Sequence, residues 1–432
     1  MGRRLISNFL YPIRKYSSIS FSFSIVILTV CIFAFFIGIS DDRGFSLKGY
    51  LTNTYIVGDF QSYGRPLNEV LDDFFKIIFA KNVDNLGIIQ GPIMPILISL
   101  SKLISNNYIP FFLFSLYISL WFIAISLDIS RASLPWLDEQ IKKKIFSIKI
   151  SQKFNFQLSN IELYGIVLNP ILIFYTSFPG SDVLFSFVIV FIIWNFIRLK
   201  YLRCYFLYIL GITIRPTALF IYPAIILLQF YEYKTQKRFR LLIFIFLIIF
   251  TYLSYYYYKS YSVLNFKETL ILSHSVGGLS IWGLPIPGWL IYQKENFILE
   301  MNKIVSIIFT PFVQLISTLG IRPSYTTIFD GDTESTLAIV SIKPYIYAYI
   351  RILWGTFVSL PGFIFLTLMN LAAKKVTKIS LLLIFILLFA IGLSSSIPLE
   401  RYLLFCSPIL SIISISFYLK LYKTIKNESN II

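Results

Sequence analysis

The first apolar segment is the feature that most constrains the fold of this chain. Residues 20–40 contain no charged side chain, and two acids, Asp41 and Asp42, follow directly. A helix rises about 1.5 Å per residue, so about 20 apolar residues cross the roughly 30 Å hydrocarbon core of a bilayer. The segment therefore predicts a transmembrane helix that ends at two carboxylates.

Composition extends this prediction to the whole chain. Hydrophobic residues make up 57% of the sequence and charged residues only 14%. Apolar segments recur up to the C-terminus, and no stretch is polar and long enough to form a soluble domain. We expect an all-α, polytopic membrane protein in which residues 1–432 form a single integral membrane domain.

The basic residues predict the orientation. The net charge is +17, but the lysines and arginines lie in short clusters between apolar segments. This distribution argues against nucleic acid as a partner. It follows instead the positive-inside rule, by which cytoplasmic loops of membrane proteins carry an excess of basic residues. With these clusters in the cytoplasm, both termini lie inside, and the N-terminus 1–19, a basic loop 130–160 and a tail 420–432 are cytoplasmic. About ten crossings are expected, near 20–40, 108–129, 161–178, 183–198, 204–214, 217–231, 241–258, 344–369, 379–395 and 402–419.

Two large loops, 41–107 and 259–343, are predicted on the external side. Their apolar segments 91–105 and 303–320 do not fit the charge pattern as crossings, and we expect them to dip into the outer leaflet as helices. The neighbouring crossings 204–214 and 217–231 are too short to span. They are predicted as half-helices broken at Arg215-Pro216, because proline interrupts a helix.

Acids at the predicted outer surface are candidates for catalysis. Asp41 or Asp42 could act as a general base toward a hydroxyl or an amine, or the two could be solvated acids at a helix end. Asp182 follows an apolar segment on the same side and could face the same cavity. Alternatively, Ser181 or Asp182 caps the next helix by accepting hydrogen bonds from its free amides.

Cations in apolar surroundings are candidates for phosphate binding. Arg215 stands inside an apolar run, where a charged group pairs with an anion or faces water; a lipid phosphate is one such anion. Arg401 lies at a predicted outer helix end, where its fork could hold a phosphate, pair with Glu400 or reach the interface. In the first external loop, Asp59 and Arg65 complete the candidate substrate- and phosphate-binding residues.

No metal centre is assigned from the sequence. His274 is the only histidine, which disfavours a metal-centred or triad enzyme. Asp330, Asp332 and Glu334 could hold a divalent cation through oxygen ligands, although such a pattern is also typical of a solvated turn. The requirement for a cofactor therefore stays open.

Five stretches, taken in order, resemble the GT-C superfamily of integral membrane glycosyltransferases, particularly the branch of lipid A aminoarabinose transferases and protein O-mannosyltransferases. The first span with Asp41-Asp42, Phe45 and the downstream VGDF is similar to that family's acid, aromatic and glycine turn in the first external loop. The others are GPIMPILISL from Gly91, LNPILIFYTSFPGSDVLFSF from Leu168, LGITIRPTAL and LERYLLFCSPIL.

This resemblance implies transfer of a sugar from a polyprenyl-phosphate donor, with inversion, to a glycan, lipid or protein acceptor of the cell envelope. It implies that Asp41 is the base, since the match at Phe45 favours it over Asp42. Asp182 would position the acceptor or the base. Arg215 and Arg401 would stabilise the leaving phosphate. The implied setting is the external, periplasmic face of a bacterial inner membrane.

Departures from the family pattern narrow this expectation. Gln90-Gly91-Pro92 stands where the aminoarabinose branch has Lys before Pro-Pro, so aminoarabinose transfer itself is not expected. The large soluble domain of oligosaccharyltransferase catalytic subunits is also missing. Two alternatives remain: a polysaccharide polymerase or ligase of the O-antigen or capsule type, and a lipid-glycan flippase or transporter, which the broken segment at Arg215-Pro216 favours and the lack of an internal repeat opposes.

Overall fold

The computed structural model describes residues 10–37, 68, 71, 93–144, 158–177, 181–198, 200–215, 218, 221, 350, 353–372, 382–387 and 404–429. Every secondary-structure element in these ranges is helical, which confirms the predicted all-α class for the described part of the chain. The main helices are α1 Tyr11–Lys15, α2 Ser17–Ile37, α3 Ile93–Ser105, α4 Ile109–Lys144, α5 Leu158–Val167, α6 Pro170–Ser177, α7 Asp182–Ile197, α8 Tyr201–Ile214, α9 Leu360–Ala372 and α10 Ser407–Ser429, and a π-helix, Gly355–Ser359, directly precedes α9.

Helix α4 is the centre of the bundle. It packs against α1, α3, α6, α7, α9 and α10, and its middle turns are almost fully buried at Phe122, Ile123, Ile125 and Leu127. Helices α7 and α8 are joined by a turn so short that they must run antiparallel, and they form a tightly packed hairpin whose first helix, α7, lies against α4. Positions on α4, α7 and α8 are therefore fixed relative to one another.

One helix in the described ranges, Ile109–Arg131 within α4, is long and apolar enough to cross a membrane by length and composition. Six further described segments are apolar but shorter: Ser17–Ile32, Ile93–Ser105, Asp182–Ile197, Tyr201–Ile214, Gly355–Leu368 and Leu404–Leu419. The expectation of ten crossings stays a prediction.

Two segments differ from the sequence-based assignment. The single crossing predicted over 161–178 is divided into α5 and α6, because Pro170 cannot donate a helical hydrogen bond and Asn169 caps the helix that it starts. The predicted basic loop 130–160 is partly helical, since α4 continues to Lys144. Asp138 and Glu139 stand four residues before Lys142 and Lys143, a spacing that stabilises a helix.

Two local predictions are confirmed. The segment predicted to be helical over 91–105 forms α3 from Ile93 to Ser105. The break predicted at Arg215-Pro216 ends α8 at Ile214, and Arg215 is extended with φ −151° and ψ 120°, the conformation that a following proline favours. The predicted crossing 241–258, the dipping segment 303–320 and the external loop 259–343 lie outside the described residues, as does most of 41–92.

Candidate functional site

The structure brings two of the predicted site residues together. A guanidinium nitrogen of Arg215, Nη1, donates to Asp182 Oδ1 at 2.6 Å. Both residues are almost fully buried, with 2% of Asp182 and 4% of Arg215 exposed. Arg215 also lies over the ring of Phe185, with its Cζ 5.9 Å from the ring centroid. The result is a compact, buried pair of opposite charges.

The helical hairpin explains how residues 33 positions apart meet. Asp182 is the first residue of α7, and Arg215 follows the last residue of α8. Because α7 and α8 run antiparallel, the start of the first helix and the end of the second lie at the same end of the bundle. The extended backbone at Arg215 ends the helical course of α8 directly before it.

Asp182 does not cap α7, the alternative role that its position in the sequence suggested. Ser181 occupies the N-cap position of α7 without a side-chain capping hydrogen bond. Asp182 lies in the first turn, where its negative charge also complements the positive end of the helix dipole. Its carboxylate is held by the guanidinium, so this acid serves an ion pair as well as the helix terminus.

Burying two charges is costly, and the attraction between them offsets that cost only with good geometry. A buried ion pair is therefore weak evidence of a purely stabilising role, and groups of this kind concentrate at functional sites. Chemically, the pair can present a positioned guanidinium to an anion while the carboxylate balances its charge in the absence of that anion.

The other predicted site residues fall outside the described part of the chain. These are Asp41, Asp42, Asp59, Arg65 and Arg401. The possible cation ligands Asp330, Asp332 and Glu334 and the lone His274 lie outside it as well. Within the described residues, no group of three or more His, Cys, Asp or Glu side chains could hold a metal ion.

Sequence reasoning missed a second polar cluster, centred on Asp128 of α4. Asp128 Oδ1 accepts hydrogen bonds from Lys15 Nζ at 2.5 Å and Tyr16 Oη at 2.6 Å, and Oδ2 accepts one from Tyr11 Oη at 2.9 Å. Arg198 Nη2 lies 3.8 Å from Oδ2. The signal was a single carboxylate inside a predicted crossing, which requires partners.

The electrostatics of this second cluster keep it charged at neutral pH. Partial burial acts to lower the pKa of Lys15, but the hydrogen bonds to Asp128 and Tyr11 outweigh it and raise that pKa above its usual value. Burial and the hydrogen bond to Asp128 raise the pKa of Tyr16 far above the ordinary range. Lys15 therefore stays protonated and Tyr16 stays a neutral donor.

A third polar contact joins distant parts of the chain. Asn169 Oδ1 accepts from the backbone amides of Ile171 and Leu172 at 3.1 and 3.2 Å, which caps α6. Its Nδ2 donates to Ser407 Oγ at 2.8 Å and to Ser411 Oγ at 3.2 Å on α10. The buried side-chain amide of Asn169 therefore holds the break between α5 and α6 in contact with the C-terminal helix α10.

Comparison of the chain with protein-family models, with curated proteins and with solved structures gave no significant match.

Proposed function

We propose that this protein is a multi-pass membrane glycosyltransferase. It moves a sugar from a polyprenyl-phosphate donor to a glycan, lipid or protein acceptor of the cell envelope, on the external face of the membrane. About ten crossings surround the site, and the apolar helices of the described bundle support that membrane placement. The transfer is inverting, as the resemblance to the GT-C superfamily implies.

The observation that carries this proposal is the Asp182–Arg215 pair. Asp182 and Arg215 lie in two different stretches that resemble the same family, and their side chains meet at 2.6 Å. The pair is buried, where a preorganised positive charge stabilises a developing anion better than in water. A leaving polyprenyl phosphate is an anion of the required kind.

A further contact supports the same grouping of stretches. Asn169, in the stretch that also contains Asp182, donates to Ser407, in the last stretch that resembles the family. Three of the five stretches are thereby joined through two buried polar contacts. Residues spread over much of the chain converge in one bundle, as a site assembled from several helices requires.

The proposed reaction balances without a metal ion. The bond between the anomeric carbon and the phosphate oxygen of the donor breaks, and its electron pair stays on the polyprenyl phosphate. The acceptor oxygen or nitrogen forms the new bond to the anomeric carbon, and its proton passes to Asp41. Arg215 and Arg401 stabilise the departing phosphate, Asp59 and Arg65 contact the substrate, and Asp182 positions Arg215 or the acceptor.

The test follows release of polyprenyl phosphate from a labelled polyprenyl-phosphate sugar in membranes that contain the protein. Asp41→Asn removes the base but preserves its volume, so release should fall by about 100-fold or more. Asp42→Asn is the matched control and should have a milder effect. Release at the wild-type rate in Asp41→Asn membranes would remove Asp41 as the base.

A lipid-glycan transporter is the second candidate, and the helix breaks favour it. Asn169-Pro170 separates two apolar helices, and the apolar helix α8 ends directly before Arg215, which is buried there. Discontinuous helices often form the binding sites of transporters. A transporter moves its lipid-linked glycan intact, so the same assay would detect no cleavage of the donor.

A further inference from the structure

The end of the bundle opposite the Asp182–Arg215 pair carries a second group of charges. Asp182 opens α7 and Arg198 follows its last residue, so a helix of 16 residues separates them, which corresponds to about 24 Å at 1.5 Å per residue. Lys15 and Arg198 flank the carboxylate of Asp128 at this end. The guanidinium of Arg131 lies over the ring of Tyr16, whose hydroxyl donates to Asp128. We call Lys15, Asp128, Arg131 and Arg198 the Asp128 cluster.

Arg198 is exposed and retains its hydrogen-bonding capacity. Its guanidinium carbon lies 3.7 Å above the ring of Trp194, a cation–π contact. Its side chain is 45% exposed, and its nearest approach to Asp128 is an ion-pair distance of 3.8 Å. Within the described part of the chain, its side chain donates no hydrogen bond. A guanidinium stacked at this separation keeps its donors at its edge, where a phosphate can accept two of them.

Lys15 lies on the other side of the same carboxylate. Two of its three ammonium protons are used, one by Asp128 Oδ1 and one by Tyr11 Oη. Its side chain is 38% exposed. One donor therefore remains for an outside acceptor, on an ammonium whose position is fixed by α1 and α4.

Among the side chains that the structure describes at this end of the bundle, charge is strongly one-sided. Lys15 and Arg198 alone exceed the charge of Asp128, and three further cations near them, Arg14, Lys200 and Arg203, are exposed. Tyr11 stacks with Trp121 at a centroid distance of 5.6 Å, so aromatic rings accompany the cations. Tyrosine, tryptophan and basic residues together are typical of a membrane interface.

We propose that the Asp128 cluster binds the phosphate of an anionic phospholipid head group in the cytoplasmic leaflet. Arg198 supplies a bidentate contact, Lys15 supplies a second cation, and Asp128 holds both in place while the α1 helix is fixed to α4. Juxtamembrane basic groups attract anionic lipids in this leaflet. The inference rests on the proposed membrane placement, and sugar transfer could fail without affecting it.

The probe is the purified full-length protein in nanodiscs made either of phosphatidylcholine alone or of equal parts of phosphatidylcholine and phosphatidylglycerol. Native mass spectrometry counts the phosphatidylglycerol that each protein molecule retains. In the mixed nanodiscs the protein should retain phosphatidylglycerol in preference to phosphatidylcholine, and this retention should fall about tenfold in Arg198→Gln, since a charge-assisted contact is lost. Lys15→Gln should lower it as well.

Arg203→Gln is the matched control, because Arg203 is exposed at the same end of the bundle and lies outside the Asp128 cluster. It should retain phosphatidylglycerol as the wild type does. Equal retention in Arg198→Gln and wild type overturns the proposal, and so does an equal loss in Arg203→Gln, which would show attraction by surface charge alone.

Free phosphate is the other anion that would offer the cluster the same phosphate group. When inorganic phosphate is added to lipid-free protein in detergent, it should not raise the thermal unfolding midpoint of the wild type more than that of Arg198→Gln. A larger rise in the wild type would assign the cluster to a soluble anion and overturn the lipid assignment. Arg198→Lys, which keeps the charge but loses the fork, serves where the glutamine variant fails to fold.

Discussion

At the scale of single residues, the Asp182–Arg215 pair shows how a buried charge depends on its partner. Each side chain is at most 5% exposed, so water cannot replace a partner that is removed. Loss of one member leaves an uncompensated charge in apolar surroundings, which typically costs about 3–5 kcal/mol. Replacement of both by apolar residues of similar volume is often close to neutral.

These energetics predict a non-additive set of variants. Asp182→Asn and Arg215→Gln should each lower the thermal unfolding midpoint of the purified protein strongly, whereas the double variant Asp182→Leu with Arg215→Met should unfold close to wild type. Because the guanidinium is gone, that folded double variant should release no polyprenyl phosphate from the donor.

The matched control is Arg203→Gln, an exposed cation whose loss should leave the midpoint unchanged. Additive costs in the double variant would contradict the description of the pair as a coupled buried unit. Transfer by the folded double variant would show that the pair is structural only.

The sequence predicted each residue separately as a site residue, Asp182 as an acid after an apolar run and Arg215 as an arginine within one. What the sequence could not provide was their contact, because the antiparallel hairpin that joins them depends on tertiary packing of α7 and α8. Asp128 is the converse case: its partners Tyr11, Lys15 and Tyr16 are more than 100 positions away. Local patterning carries no information about such a pairing.

At the scale of helices, close approach between α9 and α10 depends on a glycine. A Cβ added at Gly362 would overlap the carbonyl oxygen of Leu410 and lie 2.9 Å from its carbonyl carbon. Small residues allow apolar helices to approach closely, with contact over their backbones. Sequence patterning predicted apolar helices here, but the register in which they cross was not predictable from it.

Gly362→Ala should therefore destabilise the protein, because backbone of α10 must move to admit the methyl group; the expected cost is about 1–3 kcal/mol. Gly211→Ala is the matched control, since its Cβ would meet Val188 and Ala218 at an ordinary 3.5 Å. The thermal unfolding midpoint should fall for the first variant and not for the second. Equal midpoints would contradict the close packing of α9 on α10.

Segment 161–178 shows why element boundaries differ from the sequence-based expectation. Its apolar character is continuous, and hydropathy alone predicts one crossing. Asn169-Pro170 nevertheless divides it, because the proline lacks a donor and the asparagine satisfies the amides that begin α6. Local hydrogen-bonding chemistry decides such a break, and an average over a window of residues does not register it.

At the scale of the whole molecule, the described bundle has charged groups at both ends of α7 and no charged residue along the helix between them. The Asp182–Arg215 pair lies at one end and the Asp128 cluster at the other, about 24 Å apart along the helix. In the proposed orientation the first end faces the external leaflet and the donor phosphate. The second faces the cytoplasmic leaflet and its anionic lipids.

Mass spectrometry of lipid-linked glycans and envelope polysaccharide tests the central claim most directly, in cells with wild-type protein, with Asp41→Asn or with no protein. If the protein transfers a sugar, one defined sugar should disappear from the envelope and its polyprenyl-phosphate donor should accumulate, equally in the Asp41→Asn strain and in the strain without the protein. Accumulation of complete, unpolymerised repeat units would contradict this claim. It would also be contradicted if the strain without the protein were deficient while the Asp41→Asn strain matched wild type.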